Sequence, residues 1–420
     1  MKEYGQKTAA GQGRRRGGDR MRIIGTQIML LLLVLPVSVQ ALTLNAALRI
    51  AREHNQDLQM SRREIAIGRE NFKAAGRFLQ DNPVLSADYT GKRNSKNSYT
   101  IGLDQTFELR GQRDNRKTIA GQGIEESRYN TRELWLSLKN KIIRIYIENW
   151  ALQQKLALYK EAAGREKTVA DYARRRVAGG EDSPDALAVT TMEFGRIQGI
   201  FYNLQAQRSV LKSRLSSLLG GSKVDTIDSS FKKDFTLPAL PVAPGLLQGN
   251  PAIKALEAKI AKARSFYRLT KKNGYFPSVQ AGLSAGSDTG ERTVTASLSI
   301  PLPLFNTRQP EAAAAFDQIQ QVIGQKKSLM NRLESRLKVI RARLEALKQE
   351  ELFYKKKVLP RLHGYLARFA KRYRHGEIDI FAYDNAARQY LEAKKNYIGI
   401  LQDILALKAD IPILIGENHE

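Results

Sequence analysis

At 420 residues the chain is long enough for two or three domains, yet it has no cysteine and only four histidines, His54, His363, His375 and His419. Disulfides, thiolate chemistry and a cysteine-borne lipid are thereby excluded, and a His- or Cys-built metal centre has few ligands to draw on. The formal net charge is +27; the first 41 residues, with seven basic and two acidic side chains, hold +5 of it and leave +22. A charge of that size suits a nucleic-acid or membrane partner. Here Lys and Arg are scattered along helical stretches, which reads as solvated helix faces with no nucleic-acid partner.

Residues 21–41 (MRIIGTQIMLLLLVLPVSVQA) join a basic start, an apolar core and a small-residue end. That is the form of a secretory signal peptide cleaved after Ala41. Its apolar run is shorter than the ~20 residues of a spanning helix. Residues 1–20 read as an extended leader or an upstream start. Nothing later is apolar for long enough to span, so an exported chain without a transmembrane helix is expected.

Residues 42–80 have helical period, with Leu44, Ala47, Leu48 and Ala51 on one face, and Asp81-Asn82-Pro83 stops them. The period then becomes two, predicting a β-hairpin over 84–109. A proline-free helical run over 116–178 follows, on the order of 95 Å long. It reverses at Gly180 into a helix over 184–219. Residues 222–249, with Pro238, Pro241 and Pro244, form a linker.

The pattern then recurs. Asn250-Pro251 matches Asn55 and opens a helix, a second hairpin spans 278–304, a second long helix 310–374, and a returning helix 378–409. Gly376-Glu377 stands where Gly180-Glu181 stood, 196 residues earlier. The expectation is a mixed α and β protein of two pseudo-symmetric repeats, 42–221 and 250–416, after a leader over 1–41. The short helices, stacked end to end, match the long ones in length, so both hairpins emerge at one end and both glycine turns at the other. Four strands cannot close a barrel and leave exposed edges. Three copies supply twelve strands, within the range of closed membrane barrels.

Several motifs resemble the TolC-like outer-membrane efflux factors. These are Leu42-Thr43-Leu44 with Asn55, Asn82-Pro83 before a strand, Gln105 to Leu109 with Gly111 and Arg113, Ile300-Pro301-Leu302 with Phe305-Asn306 and Gln309, and the Arg372-Tyr373-x-x-Gly376-Glu377-Ile378 turn. The Glu108-Leu109 and Gly111 corner is most similar to the heavy-metal (Czc/Cus) branch. The resemblance implies a trimeric transmembrane β-barrel in the outer membrane of a Gram-negative bacterium, continuous with a helical coiled-coil tunnel through the periplasm. It also implies a periplasmic adaptor (membrane fusion protein) docking at the tunnel tip, an inner-membrane pump of the RND type, and metal cations as one class of cargo.

Each candidate site carries two readings. Gly180, Glu181, Ser183, Gly376, Glu377 and Asp379 are adaptor-docking tips or helix caps. Asp185, Asp384 and Asn385 are a periplasmic gate or a solvated helix face. Tyr89, Tyr99, Phe107, Tyr275, Phe276 and Phe305 are aromatics at the membrane interface or ordinary strand residues. Trp135 and Trp150 read as packing. No catalytic constellation, cofactor loop or metal site emerges, so an enzyme is not expected. The competing reading is a periplasmic coiled-coil scaffold or adaptor without a pore.

Overall fold

The computed structural model describes residues 41–416 except 92, 94, 110, 231–244, 276 and 277. The signal segment up to residue 40, and Phe276, therefore lie outside the described residues. In chain order the elements are helices α1 (Leu44–His54) and α2 (Gln56–Ala75), strands β1 (Val84–Thr90) and β2 (Ser98–Glu108), and helices α3 (Gln112–Ala178) and α4 (Pro184–Leu218). Then follow α5 (Pro251–Asn273), strands β3 (Ser278–Asp288) and β4 (Glu291–Ser299), and helices α6 (Gln309–Phe353), α7 (Leu359–Leu362), α8 (Tyr365–Arg374) and α9 (Ile380–Ile415).

Two asparagines explain where the short helices begin. Asn55 Oδ1 accepts from Leu58 N at 3.1 Å while its Nδ2 donates to Leu218 O, at the end of α4, at 3.0 Å. Asn250 repeats the device, accepting from Ala252 N at 2.9 Å and donating to Ile413 O and Leu414 O of α9 at 3.0 Å. Each side chain caps one helix and satisfies orphan carbonyls of another. The stretch expected as one helix over 42–80 is thus two, broken at Asn55 and ending at Ala75.

The long helix α3, with 67 residues, is ~100 Å long, and the main core gathers on its middle. Ile142, Tyr146, Trp150, Leu152 and Tyr159 pack with Ala47 and Ala51 of α1, with Ile197, Leu204, Leu211 and Leu215 of α4, and with Leu391 of α9. Tyr146 Oη donates to Leu42 O at 2.7 Å, holding the chain start against this core. Trp150 is buried, and the half-buried Trp135 lies under Arg52, whose guanidinium is 5.8 Å from the ring centroid. Nearby, the buried Asp410 carboxylate of α9 accepts from Arg144 of α3 at 2.7 Å and from Arg336 of α6 at 3.4 Å. Three helices thereby converge on one charge.

The second long helix is not continuous, contrary to the expectation over 310–374. After Phe353 the chain widens to a π-helical turn, Tyr354–Val358, passes Pro360, and breaks at His363-Gly364 before α8. Proline lacks the amide that would bond back to residue 356, and its ring crowds that carbonyl. Gly364 takes φ +66°, which starts a new helix direction. Strand β4 likewise ends at Ser299 instead of continuing to 304, because Pro301 and Pro303 have no N–H for a ladder. Helix α9 begins at Ile380 and runs past 409 to Ile415, with Pro412 inside its last turn.

The sheet is an antiparallel meander in the order β1-β2-β3-β4. Its central pair joins the two halves of the chain, with Leu103 opposite Leu283 and Phe107 opposite Val279. Register places Leu85, Leu103, Leu283 and Ala296 in one row and Ala87, Ile101, Ala285 and Val294 in the next. These rows lie on one face, and their large members are half or more exposed.

Candidate functional site

The helical tips are two turns of the same construction. In the first, Gly180 has φ +73°, Gly180 N donates to Val177 O at 3.1 Å and Glu181 N to Arg176 O at 2.9 Å. In the second, Gly376 has φ +73°, Gly376 N donates to Tyr373 O at 3.0 Å and Glu377 N to Arg372 O at 2.9 Å. This paired bonding around a left-handed residue closes a helix end and requires glycine, because a Cβ would be strained there. Side-chain bridges repeat as well: Arg176 lies 3.9 Å from Glu181 and Arg372 3.3 Å from Glu377.

Beyond the turns, Asp379 caps α9 through Ala382 N at 2.7 Å. Ser183 occupies the corresponding position before α4 in extended conformation, with no side-chain cap, and its own N–H donates to Asp182 Oδ1 at 3.2 Å. Gly180, Glu181, Ser183, Gly376, Glu377 and Asp379 are all exposed.

Residues that the sequence reading did not single out join the tips. The Arg176 guanidinium donates to Tyr373 O at 3.4 Å and to Glu181 O at 3.1 Å, pairs with Asp182 at 3.6 Å, and stacks over the rings of Tyr172 and Tyr373. Tyr373 Oη donates to Asp182 Oδ2 at 3.2 Å, and Tyr172 Oη donates to Arg374 O at 2.8 Å. Burial, and then the Asp182 charge, push the Tyr373 phenol well above its ordinary value. A buried cluster of Ala186, Leu366, Tyr373, Ile380, Tyr383 and Ala387 lies behind them. An Arg-x-x-x-Gly-Glu string repeats at 176–181 and 372–377, pairing Arg176 with Glu181 as Arg372 with Glu377; that shared spacing was the available signal.

The gate candidates separate. Asp185 is exposed in the first turn of α4, and Asn385 is exposed and accepts from Gln389 at 3.4 Å. Asp384 turns into the helix packing, where Arg388 binds it at 2.9 Å and also reaches Glu193 of α4 at 3.0 Å. Glu193 is buried and further paired with Arg196. Across from it Glu166 of α3, also buried, accepts from Tyr383 Oη at 3.4 Å. Burial, then the Glu193 and Asp384 charges, push the Glu166 carboxyl up to about 7. Asp384 is raised too, by burial and by Glu193.

At the other end of the chain, Tyr89 and Tyr99 are register partners beside the β1–β2 loop, and Phe107 lies on the same sheet face near α3. Tyr99 and Phe107 are ~27 Å apart along β2, close to the ~25 Å apolar band of a membrane barrel. Tyr275 and Phe305 flank the strands at the helix-proximal end, both exposed. Among the described residues no helix is long and apolar enough to cross a membrane, and no three His, Cys, Asp or Glu side chains are grouped to hold a metal.

Comparison with known proteins gives a consistent result. Residues 242–417 match the family model described as outer membrane efflux protein. The fold is similar to that of CusC, in crystal structures concerned with folding and transmembrane channel formation, with a TM-score of 0.78 and 17% identity over 89% of this chain and 92% of that one. It is also similar to the outer membrane protein VceC of Vibrio cholerae, with a TM-score of 0.75 and 14% identity over 90% and 97% of the two chains. The open state of the MtrE outer membrane channel of Neisseria gonorrhoeae gives a TM-score of 0.75 and 19% identity over 89% and 88%. No curated protein sequence matches. The chain thus has the TolC-like fold of the outer-membrane efflux channels, and its residues 242–417 match the outer membrane efflux protein family.

Proposed function

We propose that this protein is the outer-membrane channel of a tripartite efflux system, a passive duct without a catalytic step. The observation that carries the reading is the four-stranded meander with one exposed apolar face and two unpaired edges, β1 and β4. A sheet of that kind is stable in lipid only when its edges are closed. Three copies close a twelve-stranded barrel whose apolar face meets lipid, with Tyr89, Tyr99, Phe107, Tyr275 and Phe305 at the interfaces. The same face counts against a soluble scaffold, for which a large apolar surface is a liability.

In this reading α3, α4 and α6 to α9 form the periplasmic tunnel. A periplasmic adaptor holds the exposed tips at Gly180, Glu181, Ser183, Gly376, Glu377 and Asp379, and an RND-type inner-membrane pump supplies the energy. The gate is built near Asp185, Asp384 and Asn385, with Asp384 acting through its arginine pairing instead of as a free ring carboxylate. Resemblance to the heavy-metal branch extends the cargo to metal cations. Purified in detergent, the protein is expected to be a heat-resistant trimer that forms channels in planar bilayers. A water-soluble monomer that washes off membranes would sink the reading.

A further inference from the structure

The strands carry a second face, opposite the apolar one, and its chemistry is one-sided. Register assigns to it Ser86, Asp88, Thr100, Gly102, Asp104, Thr106, Glu108, Gln280, Gly282, Ser284, Asp288, Glu291, Thr293, Thr295 and Ser297. No strand residue on this face is Lys or Arg; Arg292, the one basic strand residue, falls on the apolar face. At the helix-proximal end Glu108 is ion-paired with Arg116 of α3, and at the loop end Asp288 accepts from Ser98 Oγ at 2.6 Å.

Asp104 differs from these two, and from Asp88 and Glu291 nearer the loop end, in its central place on the face. It sits in the middle of the face, level with Val84 and Gly282, and among the described residues none forms an ion pair with it. Its surroundings are cleared of bulk. A Cβ at Gly282 would collide with the Asp104 carboxylate and Ser297 Oγ, and one at Gly102 would press on Ser86 Oγ. The carboxylate therefore lies across a floor of glycine and serine, with no ion-pair partner among the described residues. In a chain of net charge +27 that placement leaves a negative field at this level of the sheet.

We propose that Asp104 sets the charge preference of the duct's membrane section, favouring cationic over anionic cargo. The inference rests on the reading that this face lines a pore, where three copies present three Asp104 carboxylates at one height. Fixed carboxylates around a confined aqueous path raise the local concentration of cations and exclude anions.

The absence of cysteine makes the test direct. Ser284→Cys places one thiol on the polar face diagonal to Asp104, ~7 Å away, and Leu283→Cys places one on the apolar face. Outer membranes carrying the full chain are treated with a cationic trimethylammonium methanethiosulfonate and with its anionic sulfonate counterpart. With each rate divided by that reagent's rate with a small free thiol, Ser284→Cys is expected to react about sevenfold faster with the cation, the ratio for one unit charge ~7 Å away in water. Asp104→Asn, or Asp104→Ser should the first variant not assemble, is expected to lower that ratio severalfold. Leu283→Cys is expected to stay unreactive in lipid. A ratio near one with Asp104 present, or one unchanged in either variant, overturns the proposal while leaving the pore reading intact. Failure of Ser284→Cys to react with either reagent, or labelling of Leu283→Cys in its place, overturns the pore reading and this proposal with it.

Discussion

The Arg176 guanidinium lies 5.8 Å from the centroid of the Tyr373 ring, 197 positions away in the chain, and donates to the Tyr373 carbonyl at 3.4 Å. A cation placed over a ring and bonded to the backbone beneath it ties the turn after α3 to the turn after α8. The two exposed tips are therefore one mechanical unit within the chain, and a partner that grips either one pulls on both.

Tyr373→Phe removes the hydrogen bond to Asp182 but keeps the ring under Arg176. The expected local cost is about 1 kcal/mol, which appears as roughly fivefold faster amide exchange in α8 and the start of α4. Hydrogen exchange read by mass spectrometry checks this, and exchange confined to the strands would contradict it.

Glu166 makes the helical region sensitive to pH. Its carboxyl is raised from 4.5 in the unfolded chain to about 7 in the folded one. The folded state thus holds the extra proton between those values, and stability falls as pH rises from about 4.5 to 7, then levels off. Asp384, raised as well, acts in the same sense. Glu166→Gln keeps the volume and removes the titration. It is expected to stabilise the protein at pH 8 by on the order of 3 kcal/mol and to flatten the profile, as followed by thermal unfolding between pH 5 and 8.

Arg144→Ala leaves the buried Asp410 carboxylate with Asn140 Nδ2 at 3.2 Å and the longer contact to Arg336 at 3.4 Å. Breaking one side of a buried pair costs about 3 kcal/mol when the charge is left alone, and less here because two partners remain. The variant is expected to unfold at lower denaturant, and the Arg144→Ala/Asp410→Asn double variant to recover part of the loss. A double variant no better than the single one would show that packing, not the charge, dominates there.

Gly376→Pro cannot keep φ at +73°, so it opens the second tip without touching the strands. Trimer assembly is expected to persist while export is lost, measured as restored sensitivity of cells to the pump's substrates. Undiminished export would remove the tip from the docking role.

Local chemistry made much of the architecture readable. The switch from helical to two-residue period marked the strands, and the two glycine turns announced helix reversals because φ near +73° is a backbone demand on one residue. The break near residue 363 was equally present, in Pro360 and Gly364, but the continuing apolar period around it masked a local stop. Asp384 could not be placed from sequence, since a carboxylate one position off a helix face points to solvent or to a partner only once the neighbouring helix is known. Arg176 and Glu166 were missed for the same reason, and Tyr373, quoted in the second-tip motif, lacked its partners.

By itself, the sequence determined the succession of helical and strand segments and the positions of the two tips. Those depend on contiguous residues, through period, capping and backbone freedom. Tertiary structure alone decided that β2 pairs with β3, that Arg176 bridges the tips, that Glu166 shares a buried space with Glu193 and Asp384, and that the Asp104 carboxylate lies across Gly282. Each of these joins residues far apart in the chain, and its energy comes from burial and charge that no local window contains.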